Sequence, residues 1–290
     1  MRKFYLISTD HLEDRVWFRD NEDFIAGMNY VAVLAGTLEA SILDFILMSN
    51  HVHFMLECLY DEAKNFIDRF KRLYGRYFCK KYHVKTLLSG NDVDISEVAW
   101  TNDNLENALA YTQMNCVAAN ICLSPEAYPW GSGNSFFNVN VKHGRRLGDM
   151  TRRAQIRLLH SNVILNQNWE VGEEGFVLPK SYLNVRFVES VFQTPKRMLY
   201  YRSKSSKAKA VLEKKITESV SFGDQTLISA LGELCRGLYQ KRDAAFLERE
   251  QKVNLAHYLH RFFKADAHQI SRLLGFTYSE SASILDSFHT

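Results

Sequence analysis

Two apolar segments separated by two residues constrain the fold of this 290-residue chain more than any other feature. Ser41–Met48 is almost continuously apolar and is interrupted in its interior only by Asp44. Ser49 and Asn50 can form a tight turn, and His51–Cys58 follows as a second strand. Strands joined by so short a turn pair antiparallel, so the sequence predicts a β-hairpin.

The other elements of the first 130 residues alternate around this hairpin. A short strand at Phe4–Ser8 and a helix at Glu22–Leu38 precede it, and a long helix at Asp61–Tyr82 follows it. A weaker strand is predicted at Val93–Ala99 and a further helix at Asn104–Ile121. The order β-α-β-β-α-β plus one helix predicts an α+β fold, a ferredoxin-like sandwich with an additional helix.

Charge and composition divide the chain into three predicted regions: a ferredoxin-like domain at 1–143, a helical basic connector region at 144–216 and a helical C-terminal domain at 217–290. Within the connector region, Ser203–Lys209 is the stretch most typical of a flexible joint. The net charge is +3, but residues 1–143 carry 13 Lys and Arg against 18 Asp and Glu, and the rest carries 23 against 15. A basic second half indicates a polyanionic partner. The alternative is that these lysines are simply exposed to solvent and bind nothing.

The last forty residues predict a helix-turn-helix. Helices are expected at Lys252–Phe263, Asp266–Leu274 and Tyr278–Phe288, and a turn containing Gly275 separates the last two. No Lys or Arg follows Arg272, which is unfavourable for contact with phosphates. A plain three-helix packing module is therefore the alternative.

Composition excludes several classes of protein. Hydrophobic residues make up 46% and charged residues 24%, as in globular domains. We expect no membrane segment, because no apolar run approaches the roughly 20 residues that a spanning helix needs, and no signal peptide, because the first residues lack an apolar stretch. The five cysteines are odd in number and form no C-x-x-C pair, so reduced thiols in a cytoplasm fit best.

His51-Val52-His53 is the sharpest local motif. Side chains alternate along a strand, so both imidazoles share one face, which we expect to be the less apolar surface of the sheet. Neutral imidazoles are good ligands for divalent metals, and the pair predicts a metal site. A lone H-x-H motif is a weak indicator, so two packed histidines are the alternative. His11, in the loop after the first strand, is a lesser candidate for positioning a substrate.

The helix predicted at Asn104–Ile121 carries a second candidate group. Its predicted buried stripe consists of Ala110, Met114, Val117 and Ile121. Tyr111 and Asn115, one turn apart, project together from the edge of that stripe. Packing alone explains a half-buried tyrosine, but a helix edge that faced the two histidines would bring phenol, imidazoles and amide together.

The long helix predicted at Asp61–Tyr82 is basic and rich in tyrosine, which suits a surface that follows a DNA backbone and stacks bases. A solvated amphipathic helix is the alternative. With one residue from the C-terminal helices, the predicted DNA-binding residues are Lys64, Arg69, Lys71, Arg72, Arg76, Lys80, Lys81 and Arg272.

Together these groups suit one reaction. A phenol can attack a phosphodiester when a divalent cation neutralises charge on the phosphoryl oxygens, which gives a covalent phosphotyrosine and a free 3′-hydroxyl. Another 3′-hydroxyl can reverse the step and rejoin strands without a nucleotide cofactor. Bases stacked in a duplex restrict access, so single strands or hairpin ends are the expected substrates.

Over about residues 3–135 the chain resembles the single-tyrosine HUH transposases, in particular the REP-associated tyrosine transposases. The motifs that carry the resemblance are Leu47–Phe54, Phe66–Lys71, Tyr74–Tyr77, Ala110–Asn120 and Pro125–Trp130.

The resemblance implies an assignment for each site residue. Tyr111 becomes the nucleophile that forms a 5′-phosphotyrosine, the additional helix becomes the catalytic helix, and His51, His53 and Asn115 become ligands of Mg²⁺ or Mn²⁺. Ligand softness favours Mn²⁺ for two imidazoles. The resemblance further implies single-stranded or hairpin DNA as partner, a monomer or homodimer, and a bacterial cytoplasmic location at the nucleoid.

Three positions depart from the family pattern. Proline is usual where Ser49 and Cys116 stand, and a Ser-Ser pair is usual in place of Gly131-Ser132. None of these removes a catalytic atom, but a catalytically idle DNA-binding regulator derived from a transposase stays open. An HUH replication initiator or relaxase is a further alternative, which the short chain and the lack of a helicase P-loop disfavour.

Overall fold

The computed structural model describes most of the chain, namely residues 1–10, 12, 16–90, 92–101, 103–119, 121–138, 143–213, 224–263 and 265–287, with the side chains of 206–213, 224–226 and 229 left aside. Its N-terminal half contains a four-stranded antiparallel sheet in the order β2-β3-β1-β4. The strands are β1 (Lys3–Ser8), β2 (Ser41–Leu47), β3 (Val52–Cys58) and β4 (Asp94–Val98). The mixed α and β character and the predicted strands are confirmed.

Two helices cover one face of the sheet. They are α1 (Asn21–Ala35) and α2 (Tyr60–Tyr82), which pack against each other. The Phe54 ring of β3 lies 5.0 Å from Phe66 and 5.3 Å from Phe70 of α2. Because strand side chains alternate, the neighbouring His53 points to the opposite face.

The opposite face is covered by α3 (Asn104–Ala118), which packs on β2 and β3. Its buried residues extend around most of the helix, from Leu105 and Leu109 to Thr112 and Cys116, and are not confined to one stripe. The helix ends three residues before the predicted Ile121, where the N–H of Ala119 bonds the carbonyl of Asn115.

The region after residue 143 packs against this layer. Its elements are a two-stranded ribbon, β5 (Arg145–Arg146) with β6 (Glu170–Val171), and the helices α4 (Arg152–Leu159), α5 (Val185–Phe192) and α6 (Pro195–Glu213). Phe192 of α5 and Met198 of α6 belong to the same apolar core as the sheet, and α6 lies along α3. Residues 203–209, predicted as a flexible joint, continue α6, whose first half is anchored by this packing.

The C-terminal helices form a second apolar cluster. They are α7 (Asp224–Tyr239), α8 (Arg249–Phe263), α9 (Ala267–Leu274) and α10 (Tyr278–Asp286). Gly275 adopts a left-handed φ of 72° between the last two, which a residue without Cβ does at little cost. The helix-turn-helix assignment stays a prediction.

The last helix is tied to the N-terminal half. The Asp286 carboxylate accepts a hydrogen bond from the backbone N–H of Val16 at 3.2 Å and pairs with the Arg19 guanidinium. The Tyr278 ring lies 6.3 Å from Phe24 of α1. The acidic α10 thus contacts the first half of the chain. Among the described helices, none is both long enough and apolar enough to span a membrane.

Candidate active site and metal centre

The pairing of β1 with β3 builds one end of the candidate site. Ser8, the last residue of β1, lies opposite His53. Asp10, two residues further along, therefore comes next to both histidines. Its Oδ1 lies 3.3 Å from Nε2 of His51 and 3.6 Å from Nε2 of His53.

A contact with the neighbouring Asn50 side chain sets the orientation of the His51 ring. Nδ1 of His51 lies 3.0 Å from Oδ1 of Asn50. An amide oxygen only accepts hydrogen bonds, so this contact needs the proton on Nδ1 and leaves Nε2, the nitrogen that faces Asp10, as the atom that would bind a metal. Such a hydrogen bond from the remote ring nitrogen is the usual support of a metal-binding histidine.

His53 is completely buried. The face that carries the histidines is not an open surface of the sheet, because α3 packs on it. The two imidazole rings are 5.0 Å apart at an interplanar angle of 78°. His51, directly before β3 and one-fifth exposed, is the ring through which the pair reaches solvent.

The catalytic tyrosine candidate of α3 reaches this pair. The Tyr111 ring is half-buried, and its centroid is 5.5 Å from that of His53 in an edge-to-face arrangement at 78°. Asn115 is buried one turn further along α3, and its Nδ2 donates to the carbonyl of Tyr111 at 2.9 Å. The structure thus brings Tyr111, His51 and His53 together, with Asn115 directly behind the tyrosine.

Asp10 makes the histidine pair a three-ligand group. The donor atoms of Asp10, His51 and His53 all lie within 4.8 Å of one another. An octahedral Mg²⁺ with bonds of about 2.1 Å holds neighbouring ligands about 3 Å apart, so the separations of 3.3 and 3.6 Å to Asp10 need little adjustment. Two imidazoles and a carboxylate on one side of an ion suit Mn²⁺ and related divalent metals. The donor set fits a divalent cation.

Asp10 was not among the ligands predicted from the sequence. The available signal was its position directly after the first strand, which is opposite to the H-x-H strand if the two pair. That pairing and its register depend on the order of strands in the sheet, which one sequence does not specify. His11 lies outside the described residues.

Two of the predicted DNA-binding residues make internal contacts instead. Lys71 is buried, and its Nζ donates to the carbonyl of Gly90 at 2.6 Å. Lys81 Nζ lies 2.7 Å from Asp20 Oδ2 and 2.9 Å from Oδ1 of the fully buried Asp23. Charge pattern alone cannot distinguish such lysines from exposed ones. The predicted residues on the exposed surface of α2 are Lys64, Arg72, Arg76 and Lys80, with Arg69 half-exposed; Arg272 of α9 is also exposed.

Comparison with known proteins gives one structural match. No family model and no curated protein matches the chain. A solved structure described as "Structure of the REP associates tyrosine transposase bound to a REP hairpin" matches 46% of this chain and 77% of its own. The identity is 7% and the TM-score is 0.35. At this identity and TM-score the match assigns no function to the chain.

Proposed function

We propose that this protein is a transposase-like enzyme that cleaves single-stranded or hairpin DNA through a covalent 5′-phosphotyrosine on Tyr111. The observation that carries the proposal is the placement of the Tyr111 ring against His53, next to the three ligand atoms of Asp10, His51 and His53. His53 and Tyr111 lie in β3 and α3, and Asp10 and His51 lie just after β1 and just before β3, so the fold has to assemble them. The order of the elements and of the strands also supports the ferredoxin-like assignment.

The reaction exchanges one phosphoester bond for another and needs no nucleotide cofactor. Tyr111 Oη forms a bond to phosphorus while the bond from phosphorus to the 3′-oxygen of the DNA breaks. The phenolic proton passes to solvent and solvent supplies the proton of the departing 3′-oxygen, so the products are a phosphotyrosine and a free 3′-hydroxyl. The edge-to-face contact with His53 and the backbone of α3 fix the direction from which the phenol approaches.

His51, His53 and Asp10 would hold a divalent cation, and Asn115 stays a candidate for a further ligand. When bound, Mn²⁺ or Mg²⁺ supplies charge neutralisation for the phosphoryl oxygens. The contact of Asn50 with Nδ1 of His51 would leave Nε2 as the nitrogen that binds the cation. The half-buried setting of Tyr111 lowers the local dielectric and strengthens these interactions.

The exposed basic residues of α2, namely Lys64, Arg72, Arg76 and Lys80, would contact phosphates of the DNA. As an enzyme of DNA it would act in the bacterial cytoplasm, at the nucleoid. Such contacts carry no base preference by themselves, so recognition of a particular hairpin needs further residues.

A covalent-adduct assay tests the proposal. A DNA hairpin with single-stranded flanks is labelled at its 3′ end, because a 5′-phosphotyrosine retains the 3′ fragment. After incubation with Mn²⁺ or Mg²⁺, a denaturing gel should show label on the protein. Tyr111→Phe should abolish the adduct and keep hairpin binding, whereas Tyr200→Phe, at an exposed tyrosine of α6, should leave the adduct unchanged.

Substitution of the ligands tests the metal centre. His51→Ala should remove cleavage, with only partial recovery at high metal concentration, and normal cleavage by this variant would disprove the metal assignment. In a titration with Mn²⁺, Asp10→Ala should weaken binding, and Asn115→Ala weakens it only if Asn115 is a further ligand. Hairpin binding without any adduct, across varied hairpins and metals, would favour the idle regulator over the enzyme.

A further inference from the structure

A buried chain of side-chain hydrogen bonds connects α6, α3 and β2 behind the candidate site. It begins at Arg202 of α6, which is buried and whose Nε donates to Oε1 of Gln113 at 2.7 Å. Nε2 of Gln113 donates to Oδ2 of Asp44 at 2.5 Å. The other carboxylate oxygen of Asp44 meets the hydroxyl of Ser132, which also accepts from the backbone N–H of Phe45.

The donor and acceptor roles along these hydrogen bonds are fixed by the chemistry of the partners. A guanidinium can only donate, so the amide oxygen of Gln113 must face Arg202. The amide nitrogen must then face Asp44, and the Gln113 side chain has a single orientation. The remaining nitrogens of Arg202 are occupied by the Glu126 carboxylate and by the carbonyl of Gly133, at 3.2 Å. The guanidinium is therefore held at all three of its nitrogens.

Gln113 is two residues from Tyr111 on the same helix. Successive residues of an α-helix are 100° apart, so the two side chains leave α3 on nearly opposite flanks. Gln113 is held between β2 and α6 on one flank, while Tyr111 meets His53 on the other. A rotation of α3 about its axis would break the first set of contacts as it displaced the phenol.

We propose that Gln113, held between Arg202 and Asp44, is a positioning residue that fixes the axial rotation of α3 and thereby places Tyr111 for attack. The inference rests on the proposed function. A phenolic oxygen stands roughly 9 Å from its helix axis, so a roll of about 10° moves it by about 1.5 Å. Misplacement by about 1 Å can lower a reaction rate by about 100-fold.

The test replaces the amide and the guanidinium in the full-length protein. Gln113→Met and Arg202→Met keep side-chain length but remove the polar chain, and the double variant removes both ends together. Asn29→Met is the matched control, because Asn29 is a fully buried amide that bonds Gly175 and Val177 at 3.1 Å without touching α3. All variants are assayed at a temperature at which circular dichroism shows them folded.

We expect the rate of adduct formation at saturating hairpin to fall by about 100-fold in Gln113→Met and in Arg202→Met. The affinity for the hairpin should stay within about twofold, and the double variant should be no slower than the singles, because one chain is broken in each case. Arg202→Lys, which retains a charge on a single donor nitrogen, should be intermediate. Asn29→Met should melt earlier yet react at the rate of the wild type.

Wild-type rates in a folded Gln113→Met, or equal losses in the Asn29 control, would overturn the positioning role. A second measurement is independent of activity: the NMR shift of the His53 imidazole, which the Tyr111 ring perturbs at 5.5 Å. With Tyr111→Leu as the reference without that ring, Gln113→Met should move the His53 signal towards the reference value. If the wild type forms no adduct, the proposed function fails, and an unchanged His53 signal in Gln113→Met would refute the positioning role separately.

Discussion

Asp44 should make the stability of the protein depend on pH in the opposite sense to an ordinary paired carboxylate. The side chain has no exposed surface, and burial raises its pKa from 3.8 to about 7, although hydrogen bonds from Ser132 and Gln113 and the charge of Arg202 act to lower it. In the unfolded chain the pKa returns to its ordinary value. Between these two values the folded protein keeps a proton that unfolding releases, so the free energy of unfolding falls as the pH rises.

The magnitude follows from the shift. About three pH units at about 1.4 kcal/mol each give about 4 kcal/mol over the whole range, of which about 3 kcal/mol falls between pH 5 and pH 8. Asp44→Asn is the natural reference, because a neutral amide has the shape of the protonated acid. Its oxygen can accept from Gln113, and its nitrogen can donate to the Ser132 hydroxyl.

The assay is urea unfolding of both proteins across this pH range. Subtraction of the variant removes the contributions of the other titrating groups. The wild-type free energy of unfolding, relative to Asp44→Asn, should fall by about 3 kcal/mol from pH 5 to pH 8. A difference that is flat or that increases with pH would refute the assignment of a neutral, buried Asp44.

Two further outcomes are expected. Asn50→Ala, which removes the acceptor behind His51, should weaken Mn²⁺ binding by about 10- to 100-fold in a metal titration, and unchanged affinity would contradict the role of that hydrogen bond. Lys81→Met should lower the free energy of unfolding by about 3 kcal/mol, because it leaves the buried Asp23 carboxylate without its cation, while the neighbouring Lys80→Met should cost less than about 0.5 kcal/mol. For DNA binding, Lys80→Met should lower both the affinity and its salt dependence, whereas Lys81→Met should change neither. The same response from both lysines would show that the division into structural and DNA-contacting residues is wrong.

The strands and helices of the first half were predictable because their local patterns and their packing agree. β2 and β3 are apolar, closely spaced and centrally buried, and their observed bounds differ from the predicted ones by one residue. The placement of Tyr111 and Asn115 one turn apart on α3 likewise follows from helical spacing. These are features that neighbouring residues determine.

What the sequence did not reveal depends on contacts between distant residues. α3 shows no single apolar stripe because the sheet covers one side and α6 the other, so a stripe based on Ala110 and Met114 missed half of its buried surface. Asp44, the one acid in an apolar strand, was a visible signal of a buried partner. Its partners, Gln113 and Arg202, are 69 and 158 positions away, and no local periodicity connects them.

The hydrogen bond between Val16 and Asp286 has a consequence for biosynthesis. Val16 stands six residues after Asp10, a ligand candidate, while Asp286 is synthesised 270 residues later than Val16. The N-terminal strand can pair with β3 long before this contact exists. The contact to Val16 therefore forms only after α10 has left the ribosome, and chains that stop short of α10 should carry a looser metal centre even where the sheet has folded.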